Sequence, residues 1–418
     1  MLGGAHEFHR RLGLARCLFV ASMLLLGWSI PAAAQITEYP VPTASSYPEG
    51  ITAGPDGALW FTENAAGKIA RITIEGAVTE YVIPTTNSGP AGITTGPNGA
   101  LWFTEQTGNK IGQITTAGTV SEYLLPTVNH MQGLPYGITA GPDGALWFTT
   151  NFINGGNIGR ITTSGAITEY PLGNSSNFGI TAGSDGALWF AALFCGVGCD
   201  GGVIGRITTI GTMTQFATPS GSPNGITAGP DGALWFTFSG SFGPPNAIGR
   251  ITTAGTMTEY PTPSGSPNGI TAGPDGALWF TEYEANQIGR ITTAGVVTEF
   301  PTPTAASQPD QIATGPDGRL WFTEQGANQI GAIAQLPNYT LSVVPSGTGF
   351  GTVTSNQPGI NCGAACSASY YSTTQITLTA VATTGSTFAG WSGGGCSGTD
   401  PCSGHDGQHH GDRELCPG

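Results

Sequence analysis

Charge is scarce in this chain. Only 9% of its residues are Asp, Glu, Lys or Arg, and just 12 of the 418 are basic. With 26 acids against them the formal charge is −14, which excludes the basic stripe that nucleic acids and anionic membranes attract. Long apolar runs are as rare. The one at hand is CLFVASMLLLGWSI, residues 17–30, flanked by Arg10, Arg11 and Arg16 and followed by PAAAQ. Such a run is short for a bilayer span, so residues 1–34 read as a signal peptide cut after Ala34. Its removal leaves 9 basic against 25 acidic residues and no segment able to cross a membrane. Histidine is nearly missing from the body of the chain, where His130 is the only one between residues 35 and 337. Amphipathic stretches of helical length are few, whereas 67 glycines and 30 prolines supply turns, so an all-β protein is expected.

Eight cysteines suit an exported chain. Cys17 leaves with the signal. Cys195 and Cys199 sit in CGVGC, Cys362 and Cys366 in CGAAC, and Cys396 and Cys402 in CSGTDPC. Each pair can be closed by a turn, and no histidine is interleaved with them, so three short-range disulfides are expected rather than zinc sites.

What the chain has in quantity is repetition. Trp60, Trp102, Trp147, Trp189, Trp235, Trp279 and Trp321 each stand in LWF. Each copy reads as four strands: GITAG, a PDG turn, LWFTE, a variable loop, IGRIT, a TAG turn, and ITEYP. Four-stranded units of this period predict a β-propeller of seven blades over residues 35–337. Strands of the ITEYP type begin at Ile36, Val78, Val120, Ile167, Met213, Met257 and Val297, so the first precedes every LWF copy. It is expected to complete the seventh blade and close the ring. The repeated residues have structural duties: the LWF side chains fill the wedge between blades, and the turn aspartates hold PDG. Arg71, Arg160, Arg206, Arg250 and Arg290 are expected to pair with Glu80, Glu169, Glu259 and Glu299 on the outer strands.

Chemistry belongs where the copies differ. Directly before each GI-type pair, at the mouth of the central channel, stand Glu49, Ala91, Tyr136, Phe178, Asn224, Asn268 and Asp310. Closing the second strands are Glu63, Glu105, Thr150, Ala192, Phe238, Glu282 and Glu324. Both rings gather acids on blades six, seven, one and two, and aromatic or uncharged residues on three to five. Longer loops on blades three to five bring Phe152, Phe194 and Phe242 as an apolar wall. This asymmetry predicts a concave ligand site on the top face, using Tyr136, Phe178, Phe238, Glu63 and Glu282. Glu49, Asn224, Asn268 and Asp310 are oxygen donors aimed at a common axis, the kind that Mg²⁺ or Ca²⁺ takes. A water-mediated site on Glu49, Asp310 and Glu324 is the alternative. No organic cofactor is implied.

The phrases GITAGPDGALWFTE, NQIGRITTAG and TEYPTP, with the outer strand placed first, resemble the virginiamycin B lyase (streptogramin B lyase) family over roughly residues 36–335. The resemblance implies a propeller that opens a cyclic depsipeptide by elimination across its ester linkage, with Mg²⁺ and a general base. It also implies histidine before the GI-type pair in blades six and seven, a glutamate two residues ahead of the second, and a tyrosine in blade one. Here those positions hold Asn268, Asp310, Gln308 and Glu49, and only the blade-seven glutamate is kept, as Glu324. The catalytic candidates are therefore Asp310, Glu324 and Asn268. His130, in the loop NHMQGLPYG, reads as a solvated loop residue.

Residues 338–403 alternate like short strands and resemble the InlB-type B repeats of bacterial surface proteins, which implies an adhesive or spacer module. The tail 404–418 breaks that pattern. Under one permissible choice of codons, a shifted frame turns GHDGQHHGDRELCPG into VTMANTTVTANFAPG, so a frameshift is the expected origin of its histidines. The whole reads as a secreted, monomeric propeller that binds a small molecule or peptide. Three functions compete: a C–O lyase, a non-catalytic extracellular binder or adhesin, and a metal-dependent lactonase-like hydrolase.

Overall fold

The computed structural model describes residues 36–126, 133–152, 155–173, 175–196, 198–219, 221–239, 246–263 and 265–334. Beyond these it describes 338–345, 350–356, 359–362, 365–371, 376–393, 396–398, 402–404 and 413–417. The expected signal segment, His130 and Phe242 lie outside them, as do the side chains of Phe152 and Phe194.

Among the described residues every element is a strand. The described residues of 36–333 form seven four-stranded antiparallel sheets, and six of them use consecutive strands. The seventh is completed by Ile36–Pro40, which pairs residue for residue with Gln329–Ile333. The first strands of sheets one to seven are Pro48–Ala53, Pro90–Thr95, Leu134–Ala140, Ser175–Ala182, Ser222–Ala228, Pro267–Ala272 and Pro309–Thr314. Each packs on the next, and Pro309–Thr314 packs on Pro48–Ala53, so the order is cyclic. The fold is a β-propeller. Side chains reinforce its closure: the Thr304 N–H and hydroxyl donate to Glu38 at 2.9 and 2.6 Å, and the Ser46 N–H donates to Asn328 at 2.8 Å.

The second strands Leu59–Glu63, Leu101–Glu105, Leu278–Glu282 and Leu320–Glu324 are buried along their whole length. Their tryptophans fill the wedges, as Trp60 does among Ile93, Leu101 and Phe103 of the following sheet. Each also stacks on an aromatic of its own outer strand, Trp60 on Tyr81 at 5.5 Å and Trp321 on Tyr39 at 5.4 Å. Removing such a ring from a well-packed core costs about 3–5 kcal/mol.

The arginines do not pair with the outer-strand glutamates. Arg71, Arg160, Arg206, Arg250 and Arg290 each meet the aspartate of their own PDG turn at 2.6 Å. Register explains the difference. Arg71 lies opposite Trp60 on one side and Thr79 on the other, while Glu80 lies opposite Ala70, one residue along. One residue along a strand is the opposite face. Glu80 instead meets Lys68 at 2.6 Å. The same turn aspartate accepts the indole N–H, at 3.1 Å from Trp60 to Asp56, so turn, wedge and third strand are tied at one carboxylate. Despite desolvation, these donors hold Asp56, Asp143, Asp185 and Asp231 below the usual aspartate range.

Two sheets vary the device. Sheet two has Asn98 and Gln113 in place of the charged pair, and Asn98 still accepts from Trp102 at 3.0 Å. Sheet seven has Ala332 on its third strand, and Arg319 of the turn takes over, bonding Asp317 and lying 4.5 Å over the Trp321 ring. Installing Asn98→Asp and Gln113→Arg together is expected to raise stability by no more than about 1 kcal/mol, since the pair is partly solvated. Asn98→Asp alone is expected to lower it. Urea midpoints of the three variants check the order.

The described residues of 338–417 form two further sheets, of five and four strands, with Arg413–Pro417 between Asn338–Val343 and Trp391–Gly393. Cys362 and Cys366 are joined by a disulfide, with Cα atoms 4.3 Å apart. The side chains of Cys195, Cys199, Cys396 and Cys402 lie outside the described residues. Among the described residues no helix is long and apolar enough to cross a membrane.

Candidate functional site

In all seven first strands the ladder slips at the same place, for instance between Pro48 and Ile51 against Glu63 and Phe61. Two residues there, Glu49 and Gly50 in sheet one, leave the pairing. A bulge of this kind re-aims a side chain, and here it turns the residue before the GI-type pair into the channel. The glycine is required by proximity. A Cβ on Gly50 would lie 2.2 Å from the Ala91 carbonyl oxygen of the next sheet.

The threonine of LWFT holds the bulge. Thr62 Oγ1 accepts from the Gly50 N–H at 2.8 Å and donates to the Ala91 carbonyl at 2.7 Å. Thr104, Thr149, Thr237, Thr281 and Thr323 repeat both bonds, the last donating to the Glu49 carbonyl at 2.7 Å. The stitching therefore runs from sheet to sheet with one gap, because sheet four has Ala191 in this position.

The channel itself is a cavity of about 130 Å³ lined by residues of all seven first strands. At its mouth opens a larger cavity of about 370 Å³, to which Glu49, Tyr136, Asn224, Asn268, Asp310 and Gln325 contribute. Asp310 is only 3% exposed, and both its oxygens are occupied. Oδ1 accepts from the Asn268 amide, and Oδ2 accepts from Gln325 Nε2 at 2.8 Å. Asn268 in turn accepts from the Asn224 amide. Burial, then the charge of Glu49, pushes the Asp310 carboxyl well above its usual range. Glu49 is 9% exposed and accepts from Asn64 Nδ2 at 2.8 Å through Oε2. Burial raises it to about 7. Tyr136 shares this field, its phenol pushed up by burial and by Asp310 and Glu49, and its ring stands edge-on to Phe178 at 6.5 Å.

The mouth ring is thus brought together, and the second-strand ring is not. Glu63, Glu282 and Glu324 are completely buried and line neither cavity. Phe238 is 2% exposed and packs on Phe236 in the core between sheets. The bulge causes the separation: Glu63 lies opposite Pro48, and Glu49 has no ladder partner. Both carboxyl oxygens of Glu63, Glu105 and Glu324 lack a hydrogen-bond partner among the described residues. Ser46 lies beside Glu63, but its hydroxyl is donated to Asn328. Burial raises Glu63 to about 7 and Glu105 and Glu324 to about 8, with the charges of Glu80, Glu122 and Glu38 adding to the effect.

As arranged, the mouth does not fit a resident Mg²⁺ or Ca²⁺. A hard cation wants several free oxygens, yet those of Asp310 and the side-chain oxygen of Asn268 already receive N–H groups. Among the described residues no group of three His, Cys, Asp or Glu side chains is set to hold a metal. Sequence reasoning missed the threonine stitch, the bulge and Gln325. The signal for the first was present, in a threonine following LWF in six copies of seven.

A propeller with a polar channel mouth is the class that fold and site define. The chain matches the virginiamycin B lyase family over residues 29–132 and 128–349. A solved streptogramin B lyase is 39% identical, with a TM-score of 0.64, covering 72% of this chain and 97% of that one. The virginiamycin B lyase of Staphylococcus aureus is 40% identical, with a TM-score of 0.65 and coverage of 72% and 99%. It has also been solved as a catalytically inactive histidine-to-alanine variant with quinupristin, at 38% identity and a TM-score of 0.65. A virginiamycin B lyase from Saccharopolyspora erythraea is 58% identical over 38 residues, 9% of this chain and 13% of that protein. This chain belongs to the virginiamycin B lyase family.

Proposed function

We propose that this protein is an exported, monomeric seven-bladed propeller that binds a small or peptidic ligand at its channel mouth without opening it. The observation that carries this reading is the state of Asp310. Each of its two oxygens accepts from a neighbouring side-chain amide, Asn268 or Gln325, so the carboxyl is engaged as the organising acceptor of the mouth network. Asn268 cannot act as a base at neutral pH. A relative in the family is catalytically inactive as a histidine-to-alanine variant, and this chain has no histidine between residues 35 and 337 except His130. Glu324, the acid kept from the family pattern, is sealed inside sheet seven. We further infer that residues 338–403 are an appended repeat-type module, that 404–418 is a frame-shifted tail, and that no divalent ion resides at the mouth.

The test is incubation of the mature protein with quinupristin and a lactone panel, with and without Mg²⁺ and Ca²⁺. No product is expected under any condition. A ring-opened product of unchanged mass would establish elimination, and one heavier by a water would establish the lactonase-like alternative. Either result overturns the binding reading.

A further inference from the structure

We propose that the mouth takes an organic cation, an amine or quaternary ammonium group carried by a small molecule or peptide. The proposal rests on the mouth being a binding site and names the chemistry of what enters it.

The first observation is the sign of the wall. Glu49, Asp310 and Glu284 contribute to the larger cavity and neither lysine nor arginine does. Lys68, on the third strand of sheet one opposite Glu63, is committed to Glu80 at 2.6 Å and Thr43 at 2.6 Å. The second is an open acceptor. Glu49 is about nine-tenths buried and lines both cavities, and its Oε1 has no hydrogen-bond partner among the described residues. A mostly buried carboxylate with one oxygen open to the cavity is stabilised when a counter-charge arrives there.

The third is the polarity of the amide relay. Asn224 donates to Asn268, and Asn268 donates to Asp310, so the donated N–H of each amide runs toward the aspartate. The relay therefore ends at its outer limit on the Asn224 side-chain oxygen, which accepts nothing from the described residues. Glu49 Oε1 and Asn224 Oδ1 both look for donors. A protonated amine supplies both donors and charge, a quaternary ammonium supplies the charge that Glu49 takes, and an anion or a carbonyl supplies neither.

The fourth is the aromatic content of the rim. Tyr136 and Tyr283 line the larger cavity, and the Tyr136 ring is braced edge-on by Phe178. Aromatic faces attract ammonium groups, most strongly where water is excluded. A hard divalent ion gains little from such walls and needs more oxygens than remain free. A cavity of about 370 Å³ admits an ammonium headgroup with part of the molecule that carries it.

The experiment is calorimetric titration of the full mature chain at 0.15 M salt with choline, methylamine and spermidine. The uncharged isostere 3,3-dimethylbutanol is the control. At least one cation is expected to bind saturably, at least tenfold more tightly than the isostere. Glu49→Gln and Tyr136→Leu are each expected to weaken it at least tenfold with an unchanged circular dichroism spectrum. The inference is overturned if no member of the panel binds, or if the isostere binds as well. It is also overturned if both variants bind like the parent, which is the signature of diffuse attraction to an acidic surface, or if Mg²⁺ or Ca²⁺ displaces the cation in proportion. An uncharged depsipeptide that binds while the whole cation panel is ignored overturns this inference and leaves the binding site standing. Failure of every ligand overturns both.

Discussion

Between pH 5 and pH 9 the melting temperature of this propeller is expected to fall by roughly 10 °C or more, the equivalent of several kcal/mol for a domain of this size. The cause is the set of sealed carboxyls at the ends of second strands. Glu63 is raised to about 7, and Glu105 and Glu324 to about 8, from an ordinary value of 4.5. The sign follows from the direction. A folded pKa above the unfolded one means that the fold prefers the protonated carboxyl. Its contribution is whole below about 4.5 and drains away as the pH rises through 7 to 8. Each group of this kind carries on the order of 3 kcal/mol, reduced where the fold relaxes to admit water. Lys68 and Lys110 do not cancel the effect, because they are bonded to Glu80 and Glu122 on the outer strands. The general repulsion of an acidic protein also grows with pH, so the decisive comparison is with the Glu63→Gln, Glu105→Gln, Glu324→Gln triple variant. Its melting temperature is expected to be nearly flat over the same interval. If parent and variant decline in parallel, the buried carboxyls are not the cause.

That prediction concerns residues which their sequence positions present as ligand contacts. The reason is instructive. The period of the LWF copies, the Asp-Gly turns and the leading Ile36–Pro40 strand are local patterns, and local patterns determine which strand pairs with which. The seven mouth residues were legible because they vary at a fixed offset from a glycine-isoleucine pair present in six copies and replaced by Gln311–Ile312 in the seventh. What a linear pattern does not carry is the facing of a side chain once a bulge intervenes. Glu49 and Glu63 are near neighbours at the end of one hairpin. The bulge leaves the first outside the ladder and facing the channel, whereas the second stays in register and points into the sheet. Arg71 and Glu80 fail as a pair for the related reason that one residue of register changes the face. Gln325 was invisible for another reason: it belongs to the loop after the second strand, and it reaches Asp310 at 2.8 Å across the end of its own hairpin, a contact made by side-chain reach rather than by the ladder.

Thr281→Val is expected to cost about 2–4 kcal/mol, because it strands two buried backbone groups while preserving shape. The Thr281 hydroxyl accepts from the Gly269 N–H at 2.9 Å and donates to the Asp310 carbonyl at 2.5 Å. That carbonyl belongs to the residue on which the mouth network converges, so ligand affinity should fall with stability. Thr62→Val breaks the same pair of bonds, to the Gly50 N–H and the Ala91 carbonyl, at the bulge that aims Glu49. It should match Thr281→Val in urea and likewise lower ligand affinity. The reverse substitution exists at the gap. Ala191→Thr would place a hydroxyl where the other six sheets have one, between the Gly179 N–H and the Asn224 carbonyl, and is expected to add about 1 kcal/mol. Valine variants within about 0.5 kcal/mol of the parent, or an Ala191→Thr protein less stable than it, would show that the stitch is an accompaniment of the fold rather than a support. The expected outcome is the opposite: a ring whose mouth is held in place by six threonines and weakest where the seventh is missing.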